Sequence, residues 1–256
     1  LNFYYSLMDW HRKDYPTGRE KNARSTILGR NEDYSSYKRF MKGQLTELLD
    51  AYHPGCIWFD GEWDHDPKDV NSIGHDVPYL DWEFDSFYDL IHSRKALVAN
   101  NNHKAPRDKE DVSLFERDLP GENETGLSPG QAVVDDRPLE QCDVIQTGIW
   151  GFVVGDGKNF RSPQEVCAMI CRAAAKDSNL LMNIGPQADG RLPDRAVEVM
   201  AEVGKWMARN GTAIYGTRGA GLVRNPDGSE CAKTRKGEMT FAIRIRPGEC
   251  PVVCSE

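Results

Sequence analysis

The sequence contains no long hydrophobic run and no excess of basic residues. A membrane-spanning helix needs about 20 consecutive apolar residues, and no such stretch occurs. Its 32 Lys and Arg are outnumbered by 40 Asp and Glu, which gives a net charge of -8. A nucleic-acid partner normally requires a basic face. We therefore expect no membrane span and no nucleic-acid partner. Leu1-Asn-Phe-Tyr also lacks the pattern of a signal peptide.

Paired cysteine motifs are missing as well. Seven cysteines are an odd number and include no Cys-x-x-Cys unit. At least one thiol is therefore unpaired or bonded outside the chain, although Cys250 and Cys254 could bridge to each other. One acidic segment has the residue types of a metal site but fits neither a calcium loop nor a helical zinc pair: Asp60, Glu62, Asp64, His65, Asp66, His75 and Asp76. A solvated acidic loop is the simpler interpretation, and we predict no metal and no cofactor.

The most informative segment present is Ile57-Trp-Phe-Asp-Gly-Glu-Trp63. A short apolar run begins near Cys56, after the helix-breaking His-Pro-Gly, and ends on Asp60, which predicts a buried strand. In parallel α/β barrels, the chemistry lies at the carboxyl ends of the strands. Tryptophans flank this acid and could form a platform for a sugar. The alternative is that Asp60 is only an acidic cap of the following loop.

A second carboxylate has a similar setting. The β-like run Val112 to Phe115 ends on Glu116 and passes into a loop rich in Pro and Gly. Two strand-end carboxylates at one mouth are what glycoside hydrolysis requires, and a retaining mechanism needs them roughly 5 Å apart. The alternative is a structural ion pair between Glu116 and Arg117 or another base.

Strands and helices alternate over most of the chain. Apolar periodicity predicts helices over 31–52, 79–94, 162–176 and 193–210, with Gly211 as a C-terminal stop, and strands over 96–100 and 180–184. The segment from Asp118 to Asp143 has little periodicity and is predicted to be a long loop that acts as a substrate-binding lid. From about Thr217, alternating residues predict strands of a second domain.

Several blocks together resemble a known family. They are Phe3-Tyr-Tyr-Ser6, Asp9-Trp10, Trp58-Phe-Asp-Gly61, Phe115-Glu-Arg-Asp-Leu-Pro-Gly121, Ile149-Trp-Gly-Phe152, Asn179-Leu-Leu-Met-Asn-Ile-Gly-Pro-Gln-Ala-Asp-Gly190 and Ile214-Tyr-Gly-Thr217. In this order they resemble an α-L-fucosidase of glycoside hydrolase family 29. The blocks at Trp58 and Asn183 are the most specific.

The resemblance implies an α/β fold: the C-terminal part of a (β/α)8 TIM-like barrel followed by the start of a β-sandwich. Residues 1–216 would form the barrel domain, incomplete at its N-terminus, and 217–256 the beginning of the β domain. The resemblance also implies a periplasmic or secreted location. It does not indicate an oligomeric state.

It further implies roles for particular residues. Asp60 would be the nucleophile and Glu116 the acid/base, with Glu122 and Glu124 as alternatives. Tyr5 would contact the fucose or the nucleophile, or Tyr4 if the register differs by one, because side chains alternate across a strand. The remaining predicted substrate contacts are Trp58, Trp63, His103 and Trp150.

The function implied is retaining, exo-acting hydrolysis of terminal α-L-fucose from fucosylated oligosaccharides or glycoconjugates. The alternative is a non-catalytic carbohydrate-binding paralogue, or an inactive fragment of such an enzyme.

Overall fold

The structure is a computed structural model that describes residues 1–9, 11–15, 34–62, 81–101, 106–125, 135–154 and 159–255. The chain forms two compact units, Leu1–Leu114 and Phe115–Glu256. Each unit has its own hydrophobic core.

The first unit contains a three-stranded parallel sheet with a helix before each later strand. Its strands are β1 (Phe3–Ser6), β2 (Cys56–Asp60) and β3 (Leu97–Asn101), in the order β1-β2-β3. Helices α1 (Ser35–Tyr52) and α2 (Phe84–His92) connect them. Parallel neighbours joined by a helix are the repeating unit of α/β folds.

The two faces of this sheet differ in character because successive side chains of a strand point in opposite directions. On one face, Ile57 and Phe59 are fully buried, and the Phe59 ring packs near Phe87 and Tyr88 of α2. On the other face lie Trp58 and Asp60, both partly exposed. The strand thus supplies a core on its helix side and polar groups on its open side.

A second sheet begins with a strand that spans the boundary between the two units. Strands β4 (Ser113–Glu116), β5 (Leu139–Val144) and β6 (Ser178–Asn183) lie in the order β4-β5-β6, with β5 and β6 parallel. Helix α3 (Pro163–Ala175) connects β5 to β6 and helix α4 (Asp194–Asn210) follows. None of the helices in the described ranges is long and apolar enough to cross a membrane.

Helix α3 begins where the sequence predicts. The Ser162 hydroxyl accepts the backbone N–H of Glu165 at 3.2 Å, and the Glu165 carboxylate accepts the backbone N–H of Ser162 at 2.7 Å. This capping box satisfies two helix-end donors. Cys167 and Cys171 on the helix are buried, and burial raises the pKa of the Cys167 thiol to about 12. Both are core thiols with little nucleophilic character at neutral pH.

An antiparallel sheet ends the chain. Strands β7 (Arg218–Arg224), β8 (Glu230–Lys236), β9 (Met239–Ile245) and β10 (Val252–Ser255) lie in the order β10-β9-β8-β7. The inner face of the sheet buries Ala232, Phe241 and Ile243 in the same core as Val199 and Trp206 of α4. The Trp206 indole N–H donates to the carbonyl of Pro251 at 2.9 Å. These contacts join the sheet to the helices of the second unit.

One expectation is confirmed, since α4 ends at Asn210 with Gly211 as its C-cap, where a 3-10 turn begins. Another needs correction: the predicted loop from Asp118 to Asp143 contains most of strand β5, whose buried Gln141 and Asp143 concealed its apolar pattern. The division into 1–216 and 217–256 stays a prediction, and the strands of the described part do not form a closed barrel.

Candidate active site

Asp60 is the last residue of β2, the central strand of the first sheet. The register pairs it with Ser6 of β1 and Asn101 of β3. All three strands run in the same direction, so their carboxyl ends lie along one edge. Gly61, which follows, has φ +98°, a conformation that L-residues with a side chain rarely adopt. The chain therefore turns sharply just after the carboxylate.

Two neutral side chains donate hydrogen bonds to the Asp60 carboxylate. The Tyr4 hydroxyl donates to Oδ2 at 2.5 Å, and the Asn101 amide Nδ2 donates to Oδ1 at 3.1 Å. The Tyr4 ring is stacked on Trp58, with centroids 5.6 Å apart and an interplanar angle of 26°. Tyr4 is 61% exposed. The open face therefore carries an oriented carboxylate beside an accessible pair of aromatic rings.

Tyr5 lies on the other face, so the prediction that it contacts the nucleophile or the sugar needs correction. Its hydroxyl donates to Gln44 of α1 at 2.8 Å, and its ring packs edge-on against Phe59. Burial raises the pKa of the Tyr5 phenol well above its ordinary value, which fits a core position. Tyr4, the alternative in the sequence, is the tyrosine that reaches Asp60.

Glu62, two residues after Asp60, is held by a cation. Arg107 Nη2 lies 2.5 Å from its Oε1, and the same guanidinium contacts Glu110 at 3.3 Å. Glu110 in turn accepts the Tyr88 hydroxyl at 2.8 Å. The Glu62 side chain is 1% exposed. This carboxylate belongs to a buried network, which argues against a role for it as a metal ligand.

Glu116 is the last residue of β4 and is buried, with a relative exposure of 9%. Its neighbour Arg117 has φ +61°, and the Arg117 N–H donates to the Cys142 carbonyl at 2.8 Å. The Arg117 guanidinium lies over the ring of Trp150, 5.2 Å from its centroid. Trp150, a predicted substrate contact, is 38% exposed and is thus brought to the end of the strand that carries Glu116.

The two alternatives to Glu116 have different surroundings. The Glu122 carboxylate pairs with Lys176 at 3.2 Å and with Arg224 at 2.9 Å. Partial burial acts to raise the pKa of Glu122, but the hydrogen bonds from Arg224 and Lys176 outweigh it and lower the pKa. A general acid needs the opposite shift. Glu124 is 73% exposed in its side chain, so it lacks a dry setting.

Several predicted residues lie outside the described part of the chain: Trp63, His103, and the acidic segment's Asp64, His65, Asp66, His75 and Asp76. Within the described ranges, no group of three His, Cys, Asp or Glu side chains is arranged to hold a metal ion.

Asn101 was not among the predicted site residues. The sequence prediction includes only His103 from the polar run Asn100-Asn-Asn-His103. A polar run directly after an apolar strand was the available signal. The structure shows which of its members reaches Asp60, because Asn100 points to the other face and donates to Tyr88 at 2.9 Å.

The α-L-fucosidase family model matches residues 1–212. The chain belongs to the α-L-fucosidase family. The α-L-fucosidase of Branchiostoma floridae is 26% identical to it over 254 residues, which cover 95% of this chain and 49% of that protein. The chain spans about half the length of the curated relatives it matches.

Solved structures of fucosidases have the same fold over most of the chain. Isoenzyme 1 of the α-L-fucosidase from Paenibacillus thiaminolyticus has a TM-score of 0.71 and 28% identity, covering 96% of this chain and 56% of that one. The Thermotoga maritima α-fucosidase in complex with fucose has a TM-score of 0.58 and 25% identity, covering 86% and 45%.

Proposed function

We propose that this member of the α-L-fucosidase family hydrolyses terminal α-L-fucose from glycans or glycoconjugates, as an exo-acting retaining enzyme. The fold is proposed to be the C-terminal part of a (β/α)8 barrel followed by the start of a β-sandwich. The observation that carries the proposal is the edge of the first sheet. There Asp60 ends the central strand with both carboxylate oxygens hydrogen-bonded, next to the stacked Tyr4 and Trp58.

The aromatic pair supports a sugar as the substrate. Fucose has an apolar patch that includes its C5 methyl group, and an exposed aromatic face can pack against such a patch while the hydroxyls stay solvated. Tyr4 and Trp58 offer this face directly beside the carboxylate. The complex of the Thermotoga maritima relative with fucose agrees with this substrate.

In the proposed first step, ionised Asp60 attacks the anomeric carbon. The bond from that carbon to the glycosidic oxygen breaks, and Glu116 gives its proton to the departing oxygen. The product is a β-fucosyl ester of Asp60 and the free aglycone. Burial disfavours the charged form of a carboxyl group, and the buried position of Glu116 therefore suits a general acid.

In the second step, Glu116 accepts a proton from water as the oxygen attacks the anomeric carbon. The ester bond to Asp60 breaks, and L-fucose leaves with its anomeric configuration retained. Tyr4 and Asn101 are both neutral donors, and their hydrogen bonds orient the carboxylate for attack. We also propose a periplasmic or secreted location, from the family resemblance.

The proposal is tested by release of 4-nitrophenol from its α-L-fucoside, with the α-galactoside and the β-glucoside as controls. We expect turnover of the fucoside alone, and a loss of roughly 10³-fold or more in Asp60→Asn. Fucose binding without any fucoside turnover would instead support the carbohydrate-binding alternative.

The role of Glu116 has its own test. Glu116→Ala should lose far more activity on fucosides with poor leaving groups than on aryl fucosides, because only the former need the proton, and azide should partly restore turnover. Glu122→Ala is the matched control. An equal loss on both substrates without azide rescue would exclude Glu116 as the acid/base.

A further inference from the structure

The segment that follows Glu116, residues 117–125, is folded around one carboxylate. Asp118 Oδ1 accepts the backbone N–H groups of Glu124 at 3.0 Å and Thr125 at 3.1 Å, and its Oδ2 accepts the Thr125 hydroxyl at 2.6 Å. The Glu122 N–H donates to the Leu119 carbonyl at 2.9 Å. These bonds make the segment a compact turn, so a shift of one of its residues displaces the others.

Glu122 connects the turn to other elements through ion pairs. Its Oε1 lies 3.2 Å from Lys176 Nζ at the end of α3, and its Oε2 lies 2.9 Å from Arg224 Nη2 in β7. Arg224 also contacts Glu230 of β8 at 3.2 Å, and Glu230 contacts Arg172 of α3 at 2.5 Å. Arg224 also lies 3.7 Å from Glu124 of the turn, so six charged side chains connect the turn, the helix and the antiparallel sheet.

This network differs from an ordinary surface ion pair. A single exposed pair contributes little, but a network of partly buried charges with good geometry holds its members more firmly. The two glutamates have side-chain exposures of only 15% and 11%, and each binds two cations. Arg224 lies at the centre, since it bridges both glutamates.

We propose that Arg224 is a positioning residue for the acid/base step: through Glu122 it fixes the turn 117–125, and thereby the backbone from which the Glu116 side chain projects. The antiparallel sheet then contributes to the acid/base step through the position of the turn. The link to the reaction rests on the proposed function above, whereas the fixing of the turn does not.

The first test does not depend on activity. Hydrogen–deuterium exchange of the backbone amides is compared in the wild type, Arg224→Gln and Arg244→Gln. Arg244 is an exposed arginine of β9 in the same sheet, so its replacement makes the same charge change outside the network. We expect faster exchange over residues 117–125 in Arg224→Gln only, with β8 and β9 still protected. Unchanged exchange in the turn, or a uniform rise across the sheet, would overturn the proposal.

The second test separates positioning from stability. Arg224→Gln should lower kcat roughly 10- to 100-fold on a fucoside with a poor leaving group, the scale of a misplaced catalytic group. It should leave KM and the kcat for a dinitrophenyl fucoside nearly unchanged, because that leaving group needs no proton. Arg224→Lys should restore part of the loss. An equal fall in kcat on both substrates would mean that Arg224 has only a structural role.

The two tests can fail separately. If the wild type shows no fucoside turnover, the proposed function fails and the exchange experiment alone decides whether Arg224 fixes the turn. If turnover is normal but exchange over 117–125 does not respond to Arg224→Gln, the positioning proposal fails and the proposed function stands.

Discussion

Asp60 and Glu62 are two residues apart, yet their surroundings are opposite. Asp60 lies on the open face and accepts hydrogen bonds from Tyr4 and Asn101, both neutral. Glu62 is buried against the guanidinium of Arg107. In the second unit, Glu122 resembles Glu62, since it is enclosed by two cations.

The difference separates two uses of a carboxylate. A cation beside a carboxylate neutralises its charge and joins two parts of the chain, which serves stability. Neutral donors orient the group and keep it anionic, as a nucleophile requires. We therefore propose Asp60, which is oriented by Tyr4 and Asn101, as the reactive acid of this pair.

The largest expected effect is that of Asp60→Asn. Removal of the nucleophile should lower kcat/KM for the aryl fucoside by roughly 10³-fold or more, the scale seen when a covalent catalyst is lost. The fold should be unaffected, because Asn has nearly the size of Asp: its carbonyl can still accept the Asn101 N–H, and its NH2 can donate to the Tyr4 hydroxyl oxygen. The measurements are steady-state kinetics and thermal unfolding of the same preparation. A variant with near-normal turnover would refute the nucleophile assignment.

Glu62→Gln should show the reverse of Asp60→Asn: a loss of stability, with turnover kept in the folded fraction. Loss of the charge opposite Arg107 is expected to lower the free energy of unfolding by roughly 1–3 kcal/mol. This is less than for a fully buried pair, because Arg107 is 30% exposed and keeps its contact with Glu110. Urea unfolding gives the stability and the fucoside assay gives the turnover of the folded fraction. The distinction between the two acids would break down if stability were unchanged while turnover was lost.

A tyrosine pair in one strand offers the next test. Tyr4→Phe keeps the ring stacked on Trp58 but removes the hydroxyl that donates to Asp60, and hydrogen bonds to charged groups contribute about 1.5–3 kcal/mol. We expect kcat/KM to fall roughly 10- to 100-fold with stability unchanged.

Tyr5→Phe is the matched control for this change. Its hydroxyl donates to Gln44 on the opposite face, so its loss should cost about 1 kcal/mol of stability and little activity. If the two variants lost the same activity, the assignment of Tyr4 to the site face would be wrong.

The sequence predicted the strand that ends at Asp60 because its apolar run, its helix-breaking start and its terminal acid all lie within a few residues. It did not determine which of Tyr4 and Tyr5 faces the site. In Phe3-Tyr-Tyr-Ser6, three consecutive positions are aromatic, so the two faces of the strand carry no contrast in polarity. Only the partners, Gln44 on one side and Asp60 on the other, resolve the register.

Neither strand β5 nor the proposed fixing of the turn by Arg224 could be predicted from the sequence, and the reason differs. Buried polar residues in β5 remove the alternation on which strand prediction depends. Arg224 and Glu122 are separated by 102 positions, and no local pattern links a glutamate in a loop to an arginine in a distant strand. Long-range ion pairs follow from packing, which composition and periodicity do not encode.

The smallest expected effect concerns the pH dependence of stability. Because the pKa of Glu122 is lower in the folded state than its ordinary value, its ion pairs stabilise the fold above that ordinary value, and the contribution is lost as the pH falls through the folded-state pKa. The difference in unfolding free energy between the wild type and Glu122→Gln should therefore be present at pH 7 and should shrink below about pH 4. Denaturant titrations at a series of pH values measure it, and Glu238→Gln, which changes an exposed glutamate just before β9, is the control. A difference that is independent of pH would mean that Glu122 acts through its size or its neutral hydrogen bonds, and the contrast between Glu122 and Asp60 would then not be one of charge pairing.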